Sequence, residues 1–402
     1  MPRPALELAD IFRLYGPAYR QAHDLPLHQL KLMQAIETCR TAAMGGHVEQ
    51  CGQCEFTRIS YNSCRNRHCP KCQSLARAKW LEQRKAELLP VEYFHVVFTL
   101  PEQIAAIAFQ NKAVLYSILF QVTAQTLLTI ARDPQHLGAE IGFFCVLHTW
   151  GQNLHHHPHL HCVIPGGGVS SDYERWIGCR PGFFLPVRVL SRLFRRLFLE
   201  ALEKASQDNR LQFFSNLEPL RDPRAFAQYL DPVREAEWVV YAKPPFGGPE
   251  QALEYVGRYT HRVALSNDRL ISMEEDQVSF RWKDYRHEHK QKHKIMTLAA
   301  DEFIRRFLLH ALPPGFQRIR YYGLFANTHR RDAITLCRKL LLAPVSDVFD
   351  LLPCPAHDYR DLYEALTGQS LRRCPKCGVG AMIIIEVLAR RQSHVPATLD
   401  SS

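Results

Sequence analysis

Apolar positions recur at helical spacing from about Glu7 to Ala43, through Leu25, Leu27, Leu30, Leu32 and Met33, and predict helices there. Ser74 to Leu89 is rich in Ala, Leu, Glu, Lys and Arg, which predicts another. The period then shortens. Tyr93 to Leu100 is a compact apolar run closed by Pro101, as expected of a strand. A long helical pattern covers Glu102 to Arg132, and a second strand spans Gly142 to Trp150. A third begins at the histidines near 155 and ends in Gly166-Gly167-Gly168. Val187 to Leu217 reads as helical and as an insertion, Glu237 to Ala242 as a strand closed by Pro244-Pro245, and Pro249 suits the first turn of a further helix. Strands and helices are therefore expected to share one core. No apolar run is expected to span a bilayer, and the first residues lack the apolar stretch of a signal peptide, so the expectation is a cytoplasmic protein.

The third strand carries the most chemistry. In extended chain successive side chains alternate between faces, so His155, His157, His159 and His161 share one face about 7 Å apart at each step. That is close enough to converge on one cation. His156, Leu160, Cys162 and Ile164 fall on the other face.

Charge and cysteine content narrow the partners. Lys plus Arg number 50 against 40 for Asp plus Glu, and the isoelectric point near 9.0 points to a polyanion such as nucleic acid. Thirteen cysteines clustered as Cys-x-x-Cys pairs argue for metal in a reducing compartment. Cys51-Gly-Gln-Cys54 and Cys69-Pro-Lys-Cys72 stand fourteen residues apart, a spacing that suits a structural tetrahedral zinc. Cys51, Cys54, Cys69 and Cys72 are the expected ligands, with Cys64 and His68 as competitors. Cys354, His357, Cys374 and Cys377 offer a second zinc site. Cys39, Cys145, Cys162, Cys179 and Cys337 stand alone and are expected to be small buried hydrophobes. Arg281 to Lys294 mixes bases with Trp282 and Tyr285, which suits phosphate contact and base stacking on single-stranded DNA or, equally, a solvated strand pair.

Tyr255 and Tyr259 lie four residues apart and project from one face of the predicted helix. A tyrosine hydroxyl, with a pKa near roughly 10, is a poor nucleophile at neutral pH, yet it can attack phosphorus when a cation polarises the phosphate. Attack leaves the protein joined to a 5′ phosphate and releases a 3′ hydroxyl.

His159-Leu160-His161 followed by paired tyrosines resembles the HUH single-strand DNA nucleases. Asn62 to Cys72, His157 to His161, Tyr255 to Tyr259 and Arg318 to Leu324, in that order, resemble the IS91 family of insertion-sequence transposases over nearly the whole chain. The resemblance implies rolling-circle transposition: nicking of single-stranded DNA at an element end, a 5′ phosphotyrosine intermediate, and transfer to target DNA. It implies metal ligation by His159 and His161 and nucleophilic roles for Tyr255 and Tyr259, with Tyr255 favoured to attack first. His157 is the third ligand expected from strand parity, with His155 or a residue elsewhere as alternatives because Pro158 disturbs the alternation. Mg²⁺ or Mn²⁺ is the expected catalytic ion and Zn²⁺ the structural one. The implied fold is α+β: an antiparallel sheet backed by helices, with the histidines on a central strand and the tyrosine helix across them. The expected domains are a helical and zinc-binding domain over 1–90, an HUH catalytic domain over 91–345 with a helical insertion near 187–220, and a zinc-ribbon-like segment over 350–385.

Three other readings compete. A plasmid replication initiator or relaxase shares the chemistry, but two zinc modules favour a transposase. An inactive zinc DNA-binding protein is disfavoured by the intact histidines and tyrosines. A hydrolytic zinc enzyme lacks a carboxylate within ten residues after His161.

Overall fold

The computed structural model describes residues 6–85, 87–243, 263–283, 293–344 and 368–390, with single positions at 248, 251, 254, 257, 360, 361, 363 and 364. The chain divides into two compact units, each drawn from separate stretches of sequence.

One unit comprises Trp80–Thr260 and Leu312–Leu352. Its centre is a five-stranded sheet of β3 (Tyr93–Thr99), β4 (Gly142–Trp150), β5 (His156–Pro165), β8 (Val240–Lys243) and β12 (Ile319–Gly323), in the order β12-β4-β5-β3-β8. Every pairing is antiparallel. Strand alternation gives the sheet two unlike faces. Phe94, Val96 and Phe98, Phe143, Cys145 and Leu147, and Leu160, Cys162 and Ile164 enter one large apolar core. Each large side chain buried there contributes roughly 1.5–3 kcal/mol. The residues between them face the other way: Tyr93, Phe144, Val146 and Val163 form a small cluster with Trp80 and Tyr321. By the same parity His95, His148, His159 and His161 lie on that second face.

Helices cover the first face. The helix expected over Glu102–Arg132 is broken at Asn111, whose φ of −124° leaves the helical region and whose side-chain amide donates to the carbonyls of Ile107 and Gln212. It thus forms α4 (Glu102–Gln110) and α5 (Lys112–Arg132). Against the reading that no apolar run is long enough, α5 could cross a bilayer by length and composition. Here it is a core helix, burying Leu115, Tyr116, Leu119 and Leu127 against the sheet. The segment expected as an insertion is α6 (Val187–Gln207), and its Leu190, Phe194, Phe198 and Leu202 belong to the same core. It is a layer of the domain. α7 (Pro223–Glu235) follows, capped by the Asp222 carboxylate, which accepts from the Ala225 N–H at 2.8 Å.

The other unit comprises Met1–Lys79, His261–Ala311 and Pro353–Ser402. α1 (Leu8–Ala22) and α2 (Leu27–Thr38) are joined by an Arg20–Glu37 ion pair at 2.6 Å, and Phe12 of α1 meets Phe307 of the helix Ala300–Leu309 edge-on at 5.6 Å. β9 (Leu270–Glu274), β10 (Gln277–Lys283) and β11 (His293–Ala299) form a meander in which Phe280 packs on Phe303. A separate sheet has the order β13-β1-β2, from β1 (Gly46–Cys51), β2 (Thr57–Tyr61) and β13 (Met382–Leu388). The zinc-bearing N-terminal part therefore does not close on itself by residue 90, nor is 350–385 a separate segment. β2 pairs with only one edge of β1, and the other edge is satisfied by a strand from the far end of the sequence.

Gly323 ends β12 with φ +58°, and a Cβ there would lie 2.0 Å from the Ile141 carbonyl oxygen. Gly323→Ala should lower stability by on the order of 2 kcal/mol or more. Gly315, at φ +71° with nothing within 4 Å, sets the scale for backbone strain alone. Equal urea midpoints for Gly323→Ala and Gly315→Ala would contradict the clash.

Candidate functional site

β5 is the central strand of its sheet, so its histidine face is flanked by β4 and β3. Pairing sets His148 of β4 opposite His159, and β3 brings Val97 opposite His161. His148, His159 and His161 offer nitrogens that all lie within 4.8 Å of one another. Their ring centroids are 5.5 Å apart for His148 and His159, 4.5 Å for His148 and His161, and 4.9 Å for His159 and His161. His148 and His161 are buried and His159 half-buried.

The third imidazole therefore comes across the ladder, from His148, and not along the strand from His157. The His157 ring lies 5.3 Å from that of His159, yet the nitrogens that come within 4.8 Å of one another are those of His148, His159 and His161. His155 and His157 are exposed, near where a bulge between His148 and Trp150 shifts the β4–β5 register. His157 instead supplies its carbonyl oxygen, which accepts from His159 Nδ1 at 2.7 Å.

His95 completes the cluster from β3. Its Nε2 lies 2.7 Å from His161 Nδ1, and the two rings stack with centroids 5.0 Å apart. Hydrogen bonds at Nδ1 of both His159 and His161 orient the two rings, and a cation held there would be ligated through Nε2 of each. Burial, with Lys243 and His159 close by, pushes the His95 imidazole down to about 3. On the opposite face His156 bonds the Tyr116 hydroxyl at 2.8 Å, and burial with Lys112 nearby lowers it likewise to about 3. The ring is half-buried on the core side of the sheet. His148 and His95 escaped the sequence reading because single histidines in apolar strands carry no spacing signal; only the register of three strands collects them.

Tyr255 and Tyr259 lie outside the described residues. Gly257 between them is described, buried and helical, and a Cβ there would come within 2.5 Å of Leu81 Cδ2. Leu81 belongs to α3 (Gln73–Lys85), whose Trp80 packs on Phe144 at 5.6 Å, on the histidine face of the sheet. Gly257 thus allows close packing against a helix that rests on that face.

The cysteines sort differently from the expected sets. Cys51 and Cys54 join Cys374 and Cys377, while Cys69 and Cys72 join Cys64 and Cys39. Equal intervals along the chain suggested one site between the two Cys-x-x-Cys turns. Each turn in fact meets a different neighbour: one lies at the end of β1, beside β13, and the other near Cys39, the residue that ends α2. Cys39 is therefore not a lone core residue. Cys354 and His357 lie outside the described residues, and His68 is buried and belongs to neither quartet. In the first quartet Cys72 Sγ is 3.5 Å from Cys39 Sγ and 3.6 Å from Cys64 Sγ. Hydrogen bonding among the four thiols splits them, pushing Cys39 and Cys72 down and Cys64 and Cys69 up. Each quartet could hold one tetrahedral ion. Cys145 and Cys162 also pair, 3.1 Å apart in the core of the sheet.

Of the basic and aromatic stretch from Arg281, only Arg281, Trp282, Lys283, His293 and Lys294 are described, with the Lys294 ammonium 5.8 Å from the Trp282 ring. Arg305 and Arg306, side by side in sequence, both pair with Glu302.

A family model described as "Putative transposase" matches residues 142–333, and one described as "Transposase zinc-binding domain" matches residues 11–100. "Putative transposase y4qJ" of Sinorhizobium fredii is 64% identical over 393 residues, 96% of each chain. "Transposase for insertion sequence element IS801" of Pseudomonas savastanoi pv. phaseolicola is 25% identical over 305 residues, 74% of this chain and 70% of that one. No solved structure matches. These likenesses, with a histidine-faced sheet and two thiol quartets, define a transposase that carries a zinc-binding domain. The chain belongs to the IS91 family of insertion-sequence transposases.

His95 and His156 are neutral when folded but titrate near 6.5 when unfolded. Their folded values are lowered, so the unfolded chain takes up protons that the native one refuses as pH falls below about 6.5. Urea midpoints should drop between pH 7 and pH 5, and His156→Gln should flatten that slope. An unchanged slope in the variant would contradict the assignment.

Proposed function

We propose that this protein nicks single-stranded DNA at the ends of an insertion sequence and joins it to target DNA through a 5′ phosphotyrosine, the chemistry of rolling-circle transposition. The observation that carries the reading is the convergence of His148 of β4 with His159 and His161 of the central strand β5, within the stretch matched as a transposase. Tyr255 and Tyr259 are the nucleophiles. A tyrosine hydroxyl gives up its proton and attacks the scissile phosphorus. The bond from phosphorus to the 3′ oxygen breaks, and that oxygen takes a proton to become a 3′ hydroxyl. The new phosphotyrosine is itself a phosphodiester, so attack by another 3′ hydroxyl rejoins DNA and regenerates tyrosine. A second tyrosine permits a second transfer.

His148, His159 and His161 would hold Mg²⁺ or Mn²⁺. Bound there, the ion would polarise a phosphate oxygen and favour negative charge on the leaving oxygen. The donor set fits: each ring can be neutral, and His159 and His161 are oriented from behind by the His157 carbonyl and by His95. The chain's excess of Lys and Arg favours a polyanionic strand as substrate.

End-labelled single strands spanning candidate element ends, incubated with Mn²⁺, Mg²⁺ or chelator, should yield a metal-dependent 5′ adduct on denaturing gels. The adduct should be lost in Tyr255→Phe, Tyr259→Phe or the double change, and in His148→Ala, but retained in His157→Ala. Loss in His157→Ala with activity kept in His148→Ala would restore the along-strand ligand set. No adduct on any strand, with DNA binding intact, would overturn the catalytic reading.

His95 acts through His161. His95→Leu should weaken Mn²⁺ binding about 10- to 100-fold, measured by electron paramagnetic resonance of the unbound ion. His95→Gln, which keeps an acceptor near the Nε2 position, should recover much of it. Equal affinities for the two variants would mean that His95 only fills space.

A further inference from the structure

The matched zinc-binding domain, residues 11–100, contains Cys39, Cys51, Cys54, Cys64, Cys69 and Cys72, two thiols short of two tetrahedral sites. Cys374 and Cys377 supply the missing pair. Cys51 Sγ lies 3.7 Å from Cys377 Sγ, and Cys54 Sγ lies 3.6 Å from Cys374 Sγ, across 326 and 320 positions of sequence. Cys51 and Cys374 are almost wholly buried.

The backbone around these thiols is built to support thiolates. The N–H groups of Gln53 and Cys54 point to Cys51 Sγ at 3.4 and 3.5 Å, that of Lys376 to Cys374 Sγ at 3.4 Å, and that of Gly380 to Cys377 Sγ at 3.3 Å. Such bonds stabilise the charged ligand and fix its direction. Gly380 admits no side chain, since a Cβ would sit 2.3 Å from Cys51 Sγ. Directly after this turn the chain enters β13, which pairs with β1 from Cys51↔Met382 to Gly46↔Leu388.

We infer that Cys51, Cys54, Cys374 and Cys377 bind a second zinc ion that clasps the C-terminal strand to the N-terminal sheet. The ion joins two Cys-x-x-Cys turns that the sequence separates by the entire stretch matched as a transposase. The N-terminal stretch alone is thus a one-zinc module, and the second site exists only when residues 374–388 are docked. Removal of this ion should release β13 while the Cys39, Cys64, Cys69 and Cys72 site stays loaded.

The test uses the full chain. Elemental analysis should give two zinc ions per chain, and cadmium exchange should give two ¹¹³Cd resonances in the range of four-thiolate sites. Cys374→Ser with Cys377→Ser should lower the content to one ion per chain. In the unaltered protein, graded chelator followed by alkylation and mass spectrometry should expose Cys51, Cys54, Cys374 and Cys377 together, in a step separate from Cys39, Cys64, Cys69 and Cys72. That readout does not depend on a variant folding. One ion per chain, unaffected by loss of Cys374 and Cys377, would overturn the clasp. Joint exposure of Cys51 and Cys54 with Cys69 and Cys72, while Cys374 and Cys377 react at once, would overturn it too.

Discussion

Antiparallel pairing of β4 with β5 is the constraint from which the histidine-bearing unit follows. One register puts Cys145 against Cys162 and Leu147 against Leu160 in the apolar core, and Val146 against His161 and His148 against His159 on the other face. A slip of one residue would turn every one of these side chains over, driving imidazoles into hydrocarbon and phenylalanines out of it. The large core behind the sheet thus holds the histidines in place from the opposite face. Stability and site geometry are two faces of one ladder.

This explains what could be read in advance and what could not. The histidine strand, its neighbours at 93–99 and 142–150, and the helical stretches around them were legible because alternation and helical period leave local marks in composition. His159 and His161 were legible as a pair for the same reason. His148 was not, because its role arises from register with another strand, and register is a property of two segments. The break at Asn111 was hidden for a related reason: the helical pattern runs through it, and the side chain that stops the helix finds one partner as distant as Gln212. α6 looked like an insertion because its surface face is richly charged, yet its apolar stripe is core.

The thiols make the same point at longer range. The Cys-x-x-Cys turns were visible as turns, but their partners were assigned by proximity in sequence. Proximity in space followed strand edges instead: β1 needed a second neighbour, and the strand that meets it follows directly on a turn with its own pair of cysteines. Cys39, one residue beyond a helix, looked like filler because a single cysteine has no spacing to measure. Chain order misled where topology decided.

The union of β1 with β13 bears on how such a protein is made. On the ribosome, Cys51 emerges long before Cys377, which follows 326 positions later. At roughly 5–20 residues per second that interval lasts on the order of tens of seconds. Throughout it the sheet of the zinc unit has an unpaired edge and two thiols without their later partners, while the sheet of the other unit can complete itself as soon as β12 appears. The histidine-bearing unit can therefore finish folding before the zinc unit does, and a prematurely ended chain would carry an open strand edge, the kind of surface on which other chains assemble.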